Sequence, residues 1–227
     1  MYKYSKKNAK TYSKLGIKGT TYEVGFNEIR RILGTLKGKL VLDFGSGAGR
    51  SGEFLLSLGA DKVIGVDHDQ NMITQSKKIK SKKLDFIKIK EKIPFDQDTF
   101  DIAMATSVFI EVESLAKMQK IINELYRVIK PKGILVIGTT NPKSIGQNYI
   151  SYSYKKKRNL KSGDKIICTI KGENSFEIED YYWTENDYKR ILENAGFKIS
   201  MFYPRASGHG WLDETKVAPG LIIKCVK

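Results

Sequence analysis

At 227 residues with 41% hydrophobic content the chain suits one globular domain, and with no apolar run of about 18 residues it excludes a membrane-spanning helix. The net charge of +15 invites a polyanionic partner, yet it is built from 33 Lys and only seven Arg. Arginine is the better residue for bidentate phosphate and base contacts, so the surplus reads first as a solvated basic surface, and nucleic acid is the less favoured partner. The two cysteines, Cys168 and Cys225, stand far apart and read as small apolar strand residues, and with His68 and His209 the only histidines no metal site is expected.

Residues 1–38 read as a helical cap. Met1 to Lys18 is basic and polar without the apolar centre of a secretory signal, so a cytoplasmic location is expected. Lys3, Lys7, Lys10, Lys14 and Lys18 could line one helical face and meet an anionic substrate, RNA or an acidic partner. Tyr22, Phe26, Ile29, Leu33 and Leu36 then fall at helical spacing until Gly38.

A strand over 40–44 runs into the most informative stretch, Val41-Leu42-Asp43-Phe44-Gly45-Ser46-Gly47-Ala48-Gly49-Arg50. Three alternate glycines permit a tight turn with positive φ and let a ligand lie against bare backbone. Ser51 to Leu58 suits a crossover helix, and the next strand, 62–67, ends in Asp67, where a carboxylate can accept a ribose diol. A dinucleotide fingerprint would need glycine where Arg50 stands and an apolar residue where Asp43 stands, so the site favours a ligand with a cationic group.

Further strands are expected at 84–89, 100–106 and 133–139. Leu115, Met118, Ile122, Leu125 and Ile129 form the apolar stripe of a helix ended by Pro131 and Gly133. Within the stretch 141–182, Ile166 to Ile178 reads as a hairpin around Gly172-Glu173-Asn174, suited to cap the site or form a dimer edge. A helix starts at Thr184 with a capping-box-like partner in Asp187 and ends at Gly196, and strands at about 197–203 and 218–226 close the chain. Alternating strands and helices predict an α/β, doubly wound parallel sheet, whose ligands bind beyond the carboxyl ends of the strands. Asp43, the glycine loop, Asp67, residues 89–91 and Thr106 then surround one crevice.

These residues resemble the class I S-adenosylmethionine-dependent methyltransferases, whose loop reads acid-x-Gly-x-Gly-x-Gly. Ile93 to Asp101 looks like that family's Leu-Pro-Phe-x-x-x-x-Phe-Asp element, Glu124 to Gly133 its helix-turn before strand 5, and Tyr188 to Phe197 its Ala-Gly-Phe helix end. The resemblance implies a Rossmann-like, seven-stranded, mostly parallel sheet with the last strand antiparallel. It divides the single domain 1–227 into an N-terminal cap (1–38), a cofactor core (39–140), a lid insertion (141–182) and a C-terminal helix and strands (183–227).

The implied cofactor is S-adenosylmethionine, with S-adenosylhomocysteine as product. Asp43 suits its ammonium; Gly45, Ser46, Gly47 and Gly49 the tail and ribose; Asp67 the ribose hydroxyls. His68 and Met72 resemble positions flanking adenine, and Thr106 ends strand 4. Relatives often show Gly-Asp-Ala-Glu where this chain has Lys88-Ile89-Lys90-Glu91, so adenine would rely on backbone at Ile89 and Lys90, with Glu91 able to compensate. Glu111 stands where many relatives place a histidine.

His209, in a glycine-flanked loop, is the expected general base because histidine side chains exchange protons near neutral pH, with Asp213 and Glu111 weaker candidates. The candidate acceptor-binding residues are Tyr12, Tyr22, Phe109, Glu111, Asn141, Tyr152 and Trp211. The expected activity is methyl transfer to an O or N nucleophile of a small, aromatic or anionic metabolite by a monomer or homodimer free of membranes. An RNA or tRNA methyltransferase and a non-catalytic cofactor-binding regulator are the alternatives.

Overall fold

The computed structural model describes residues 3–90, 92–172 and 174–227. Its central sheet is built by β1 (Leu40–Phe44), β2 (Lys62–Asp67), β3 (Leu84–Lys88), β4 (Phe100–Thr106), β5 (Ile129–Thr140), β9 (Lys198–Phe202) and β10 (Gly220–Val226), in the order β3-β2-β1-β4-β5-β10-β9. β1 to β5 pair in parallel, and β10 runs antiparallel to both of its neighbours. This is the expected doubly wound sheet with its last strand reversed. The order turns back between β1 and β4, which opens the crevice beyond their carboxyl ends.

Alternation along β1 shows how the sheet is held. Leu42 and Phe44 point into a core shared with Met118, Leu125 and Tyr188 of α5 (Leu115–Val128) and α6 (Glu185–Asn194). Val41 points the other way, into a core with Phe26 of α2 (Thr21–Leu33) and Phe54 of α3 (Arg50–Ser57). Both faces are dry, as a parallel strand requires. The capping box of α6 forms as read, with Thr184 and Asp187 each bonding the other's backbone N–H.

Three boundaries differ from expectation. The amino-terminal region is two helices, α1 (Lys6–Tyr12) and α2, and α2 stops at Gly34 (φ 61°), with Leu36 buried in the loop beyond. Lys3, Lys14 and Lys18 therefore fall outside α1, and the five-lysine face does not form. α5 passes into β5 at Ile129 without a loop. Pro131 and Gly133 lie in a bulge, where Phe100 pairs with Ile129 but Ile102 with Ile134, and Lys132 takes φ 65°.

The hairpin is β7 (Lys165–Ile170) with β8 (Phe176–Tyr181), longer than the sequence suggests, and β6 (Tyr152–Tyr154) adds a third antiparallel strand. Tyr154, Ile166, Cys168 and Ile178 of this small sheet pack with Tyr4 and Ala9 of the amino-terminal segment and with Met72 of α4 (Gln70–Ser76). Among the described residues no helix is long and apolar enough to cross a membrane.

Candidate active site

The turn after β1 is dictated by its glycines: Gly45, Gly47 and Gly49 take φ of 72°, 52° and 99°. A Cβ at Gly45 would lie 2.2 Å from Val108 Cγ2, and one at Gly49 would lie 2.5 Å from Ile79 Cδ1. A Cβ at Gly47 would meet no protein atom within 4 Å, so its backbone faces the open crevice. The Gly45 and Ser46 amides both donate to the Val66 carbonyl, at 2.8 and 3.0 Å.

Asp67 ties this loop to the next element. One carboxylate oxygen accepts from the Gly47 amide and the other from the Asp69 amide, each at 2.8 Å. Asp69 caps α4 through the Asn71 and Met72 amides and accepts the Tyr4 amide at 3.0 Å, which pins the amino-terminal segment over the crevice. A carboxylate offers about four acceptor sites, so Asp67 retains capacity for a diol.

Asp43 does not stand in the opening. It is fully buried behind the loop, where Oδ2 accepts the Ser51 hydroxyl at 2.6 Å and Oδ1 has no partner among the described residues. Burial pushes its pKa up to about 7, against the pull of the Ser51 bond. The Ser46 hydroxyl is likewise buried without a partner. Two unpartnered polar atoms and a bare glycine backbone are what a cofactor with a charged amino acid tail fits.

The crevice extends in two directions. Toward α5 it becomes a groove walled by Gly45, Asp67, His68, Ile89, Lys90 and Val108. The Ile89 amide is spent on the Asp67 carbonyl at 2.9 Å, which leaves one fewer backbone group for adenine than expected. Met72 is not in this groove: it is buried on the opposite wall, beside Tyr4 and Ala48, because α4 turns it toward the cap. Glu91 lies outside the described residues.

In the other direction lies an aromatic pocket walled by Tyr12, Tyr22, Tyr152, Tyr154 and Phe26, with Glu111 and Asp180 facing into it. Tyr4, Tyr12, Arg50, Thr106, Ser107 and Glu111 line both this pocket and the glycine-loop crevice, so the two spaces meet across them. Ser107 holds φ 57° while its amide donates to the Gly138 carbonyl at 2.8 Å, a backbone strain at the junction.

Sequence reasoning missed Arg50, Asp180 and Ser107. The Arg50 guanidinium stacks 4.1 Å from the Tyr22 ring centroid and 5.1 Å from that of Tyr12, and donates to the Tyr12 hydroxyl and the Leu15 carbonyl. Its position after the glycines signals a helix start, but nothing local announces tyrosines from 28 and 38 residues upstream. Asp180 follows Glu177 and Glu179 in β8 but falls on the opposite face, the one Ile178 buries, at 0% exposure, and that period of two is the signal that could have found it. Its Oδ2 accepts the Tyr154 hydroxyl at 2.9 Å, Oδ1 has no partner among the described residues, and burial pushes its pKa up to about 7. Glu111 accepts the Tyr4 hydroxyl at 3.0 Å, and burial, then the charge of Asp180, drives its carboxyl well above the usual range.

Several expected acceptor residues are elsewhere. Phe109 is wholly buried in the core under α5, because the short turn 109–111 sends Ile110 and Glu111 to the pocket and Phe109 inward. Asn141 is a structural joint: its amide donates to the Ala218 carbonyl at 2.8 Å and its Oδ1 accepts the Lys143 amide at 3.0 Å. His209 is exposed and Trp211 half-buried, and neither lines the crevice or the aromatic pocket. Their loop is held from beneath by fully buried Glu214, which accepts the Thr21 hydroxyl and the Ile150 amide, both at 2.7 Å, and so faces outward at His209.

The strand order, the glycine loop and the acid ending β2 together are those of the class I methyltransferase fold. A family model described as a methyltransferase domain matches residues 42–137, the span from β1 through most of β5. The chain is 26% identical over 201 residues to demethylmenaquinone methyltransferase of Chlorobaculum tepidum, covering 84% of this chain and 78% of that one. It is 25% identical over 172 residues to N-demethylindolmycin N-methyltransferase of Streptomyces griseus, covering 69% and 68%. It also matches sterol methyltransferase-like 3 of Botryococcus braunii at 26% identity, but spans only 44% of that protein's length. The fold superposes on an S-adenosylmethionine-dependent methyltransferase from Mesorhizobium loti with a TM-score of 0.68 at 17% identity, over 93% of this chain and 100% of that one. The chain carries a methyltransferase domain over residues 42–137, on a fold shared with S-adenosylmethionine-dependent methyltransferases.

Proposed function

We propose that the enzyme methylates an O or N nucleophile of a small aromatic metabolite seated in the tyrosine-walled pocket. The observation that carries this reading is the shared wall: Glu111, Thr106, Ser107, Tyr4, Tyr12 and Arg50 bound both the cofactor crevice and the pocket. An acceptor there is parted from the glycine-loop side only by these shared residues. When bound, S-adenosylmethionine supplies a methyl group on a positively charged sulfur, which is already a good leaving group. The protein's own work is alignment and exclusion of water, which the cap of α1 and β6 to β8 supports.

On this reading Asp67 holds the ribose hydroxyls, the Gly47 backbone lies along the tail, and Asp43 and Ser46 supply the polar atoms behind it. His209 is set aside as the base, since it lines neither space, and Glu111 takes that role because it stands at the junction. The small-molecule relatives, two of them named for demethylmenaquinone and N-demethylindolmycin, support a metabolite over RNA.

The test is the thermal midpoint of the full chain with saturating S-adenosylhomocysteine and, separately, with NAD. A ligand that binds only the native state raises it, by about 2.7 kcal/mol of stability at a hundredfold excess over Kd. A rise with the first alone supports the reading, and a rise with NAD alone overturns it.

A further inference from the structure

We propose that the acceptor is an amine that enters as an ammonium ion, held in the aromatic pocket between Asp180 and Glu111, with Glu111 taking the proton that must leave nitrogen. This rests on the methyl-transfer reading above and names the class of its substrate. Two carboxyl groups face one cavity whose other walls are tyrosine rings. Asp180 is at 0% exposure with Oδ1 unpartnered among the described residues, an arrangement that costs free energy until a donor meets it.

β8, which carries Asp180, packs against the turn that carries Glu111, so the two carboxyls oppose each other when both are charged. A single ammonium relieves both, because it has N–H donors for each carboxylate and a charge that tyrosine faces attract. The other titratable groups turned toward the pair are the Tyr4 and Tyr154 hydroxyls, the Cys168 thiol, Tyr188 behind Asp180, and Asp67 on the far side of Glu111. The neighbouring cation, Arg50, makes its contacts to Tyr12, Tyr22 and Leu15 rather than to either acid. A carboxylate or phosphate acceptor would oppose either acid in its ionised form, and a neutral alcohol would leave one acid unmet, so the basic composition misleads about the acceptor.

The two acids divide the work by position. Asp180 lines the pocket alone, whereas Glu111 lines both the pocket and the crevice. In the proton step one ammonium N–H bond breaks, its electron pair stays on nitrogen as the nucleophilic lone pair, and the proton passes to a Glu111 carboxylate oxygen. That proton returns to solvent once the pocket opens.

The experiment is calorimetric titration of the full chain with 2-phenylethylamine, 2-phenylethanol and 3-phenylpropanoate, with and without saturating S-adenosylhomocysteine. The expected order is amine tightest, by about tenfold or more over the alcohol, and propanoate weakest. Asp180→Asn should bring the amine to within about threefold of the alcohol while S-adenosylhomocysteine affinity stays within about twofold. An amine no tighter than the alcohol, a preference for propanoate, or no amine binding in either arm overturns the proposal. The wild-type order decides the matter even if the variant fails to fold. Absent S-adenosylhomocysteine binding would overturn the cofactor reading separately, while the cofactor-free arm still decides the acceptor class.

Discussion

Asp180 and Asp43 each keep a buried carboxyl whose pKa is pushed up to about 7 from an ordinary value of 3.8. The sign of the stability effect follows from proton binding. Between about pH 4 and pH 7 the unfolded chain has released these protons and the folded chain retains them, so rising pH across that window favours unfolding. Other carboxyls act oppositely; Asp187, held below the usual range by Ser162 and Thr184 against the effect of burial, is one. The difference between wild type and Asp180→Asn isolates the single group. Urea denaturation from pH 4.5 to 7.5 should show the variant losing less stability than wild type, by an amount on the order of a few kcal/mol. Parallel curves for the two proteins would mean that Asp180 ionises normally in the fold.

The glycine loop separates two roles that one residue type plays. Gly45→Ala drives a methyl to within 2.2 Å of Val108 at a φ of 72°, so about 1–3 kcal/mol of stability should be lost. Gly47→Ala meets no protein atom within 4 Å and should cost stability only through its φ of 52°, about 1 kcal/mol. That second methyl nonetheless projects into the crevice, so S-adenosylhomocysteine affinity should fall about tenfold or more. Chemical denaturation and ligand titration read the two effects independently. Equal ligand affinity in Gly47→Ala would remove the loop from the cofactor site.

This loop, β1 and β2 were legible in the sequence because few chemistries need three alternate glycines between two acids. The stripe of α5 and the capping box of α6 were legible for the same reason, local patterns with one structural solution. The pocket was not, since Tyr12 and Tyr22 meet Arg50, and Tyr154 meets Asp180, only through long-range packing. His209 drew attention through its side-chain chemistry, whereas its position depends on Glu214 anchoring the loop beneath it.

At the scale of the whole molecule, the sheet order reverses between β1 and β4 and so fixes where the cofactor crevice opens, and the cap fixes what adjoins it. The cap is joined to the core at two ends. Tyr4 bonds Asp69 beside α4, and Thr21 shares Glu214 and Ser151 with the insertion and the carboxyl-terminal loop. The sheet repeats an arrangement that hosts many reactions, so on the reading proposed above acceptor chemistry resides in the cap and in the turn carrying Glu111.

The central claim is that the transferable methyl group faces the tyrosine pocket across the shared wall. The most direct measurement is the pattern of nuclear Overhauser contacts from S-adenosylmethionine isotopically labelled on its methyl carbon and bound to the full chain. Contacts from that methyl to the rings of Tyr4 or Tyr12 and to the Thr106 methyl are the expected result. Contacts only to Ala116 and Ile121, the α5 residues that line the far end of the groove beyond His68 and Lys90, would contradict it.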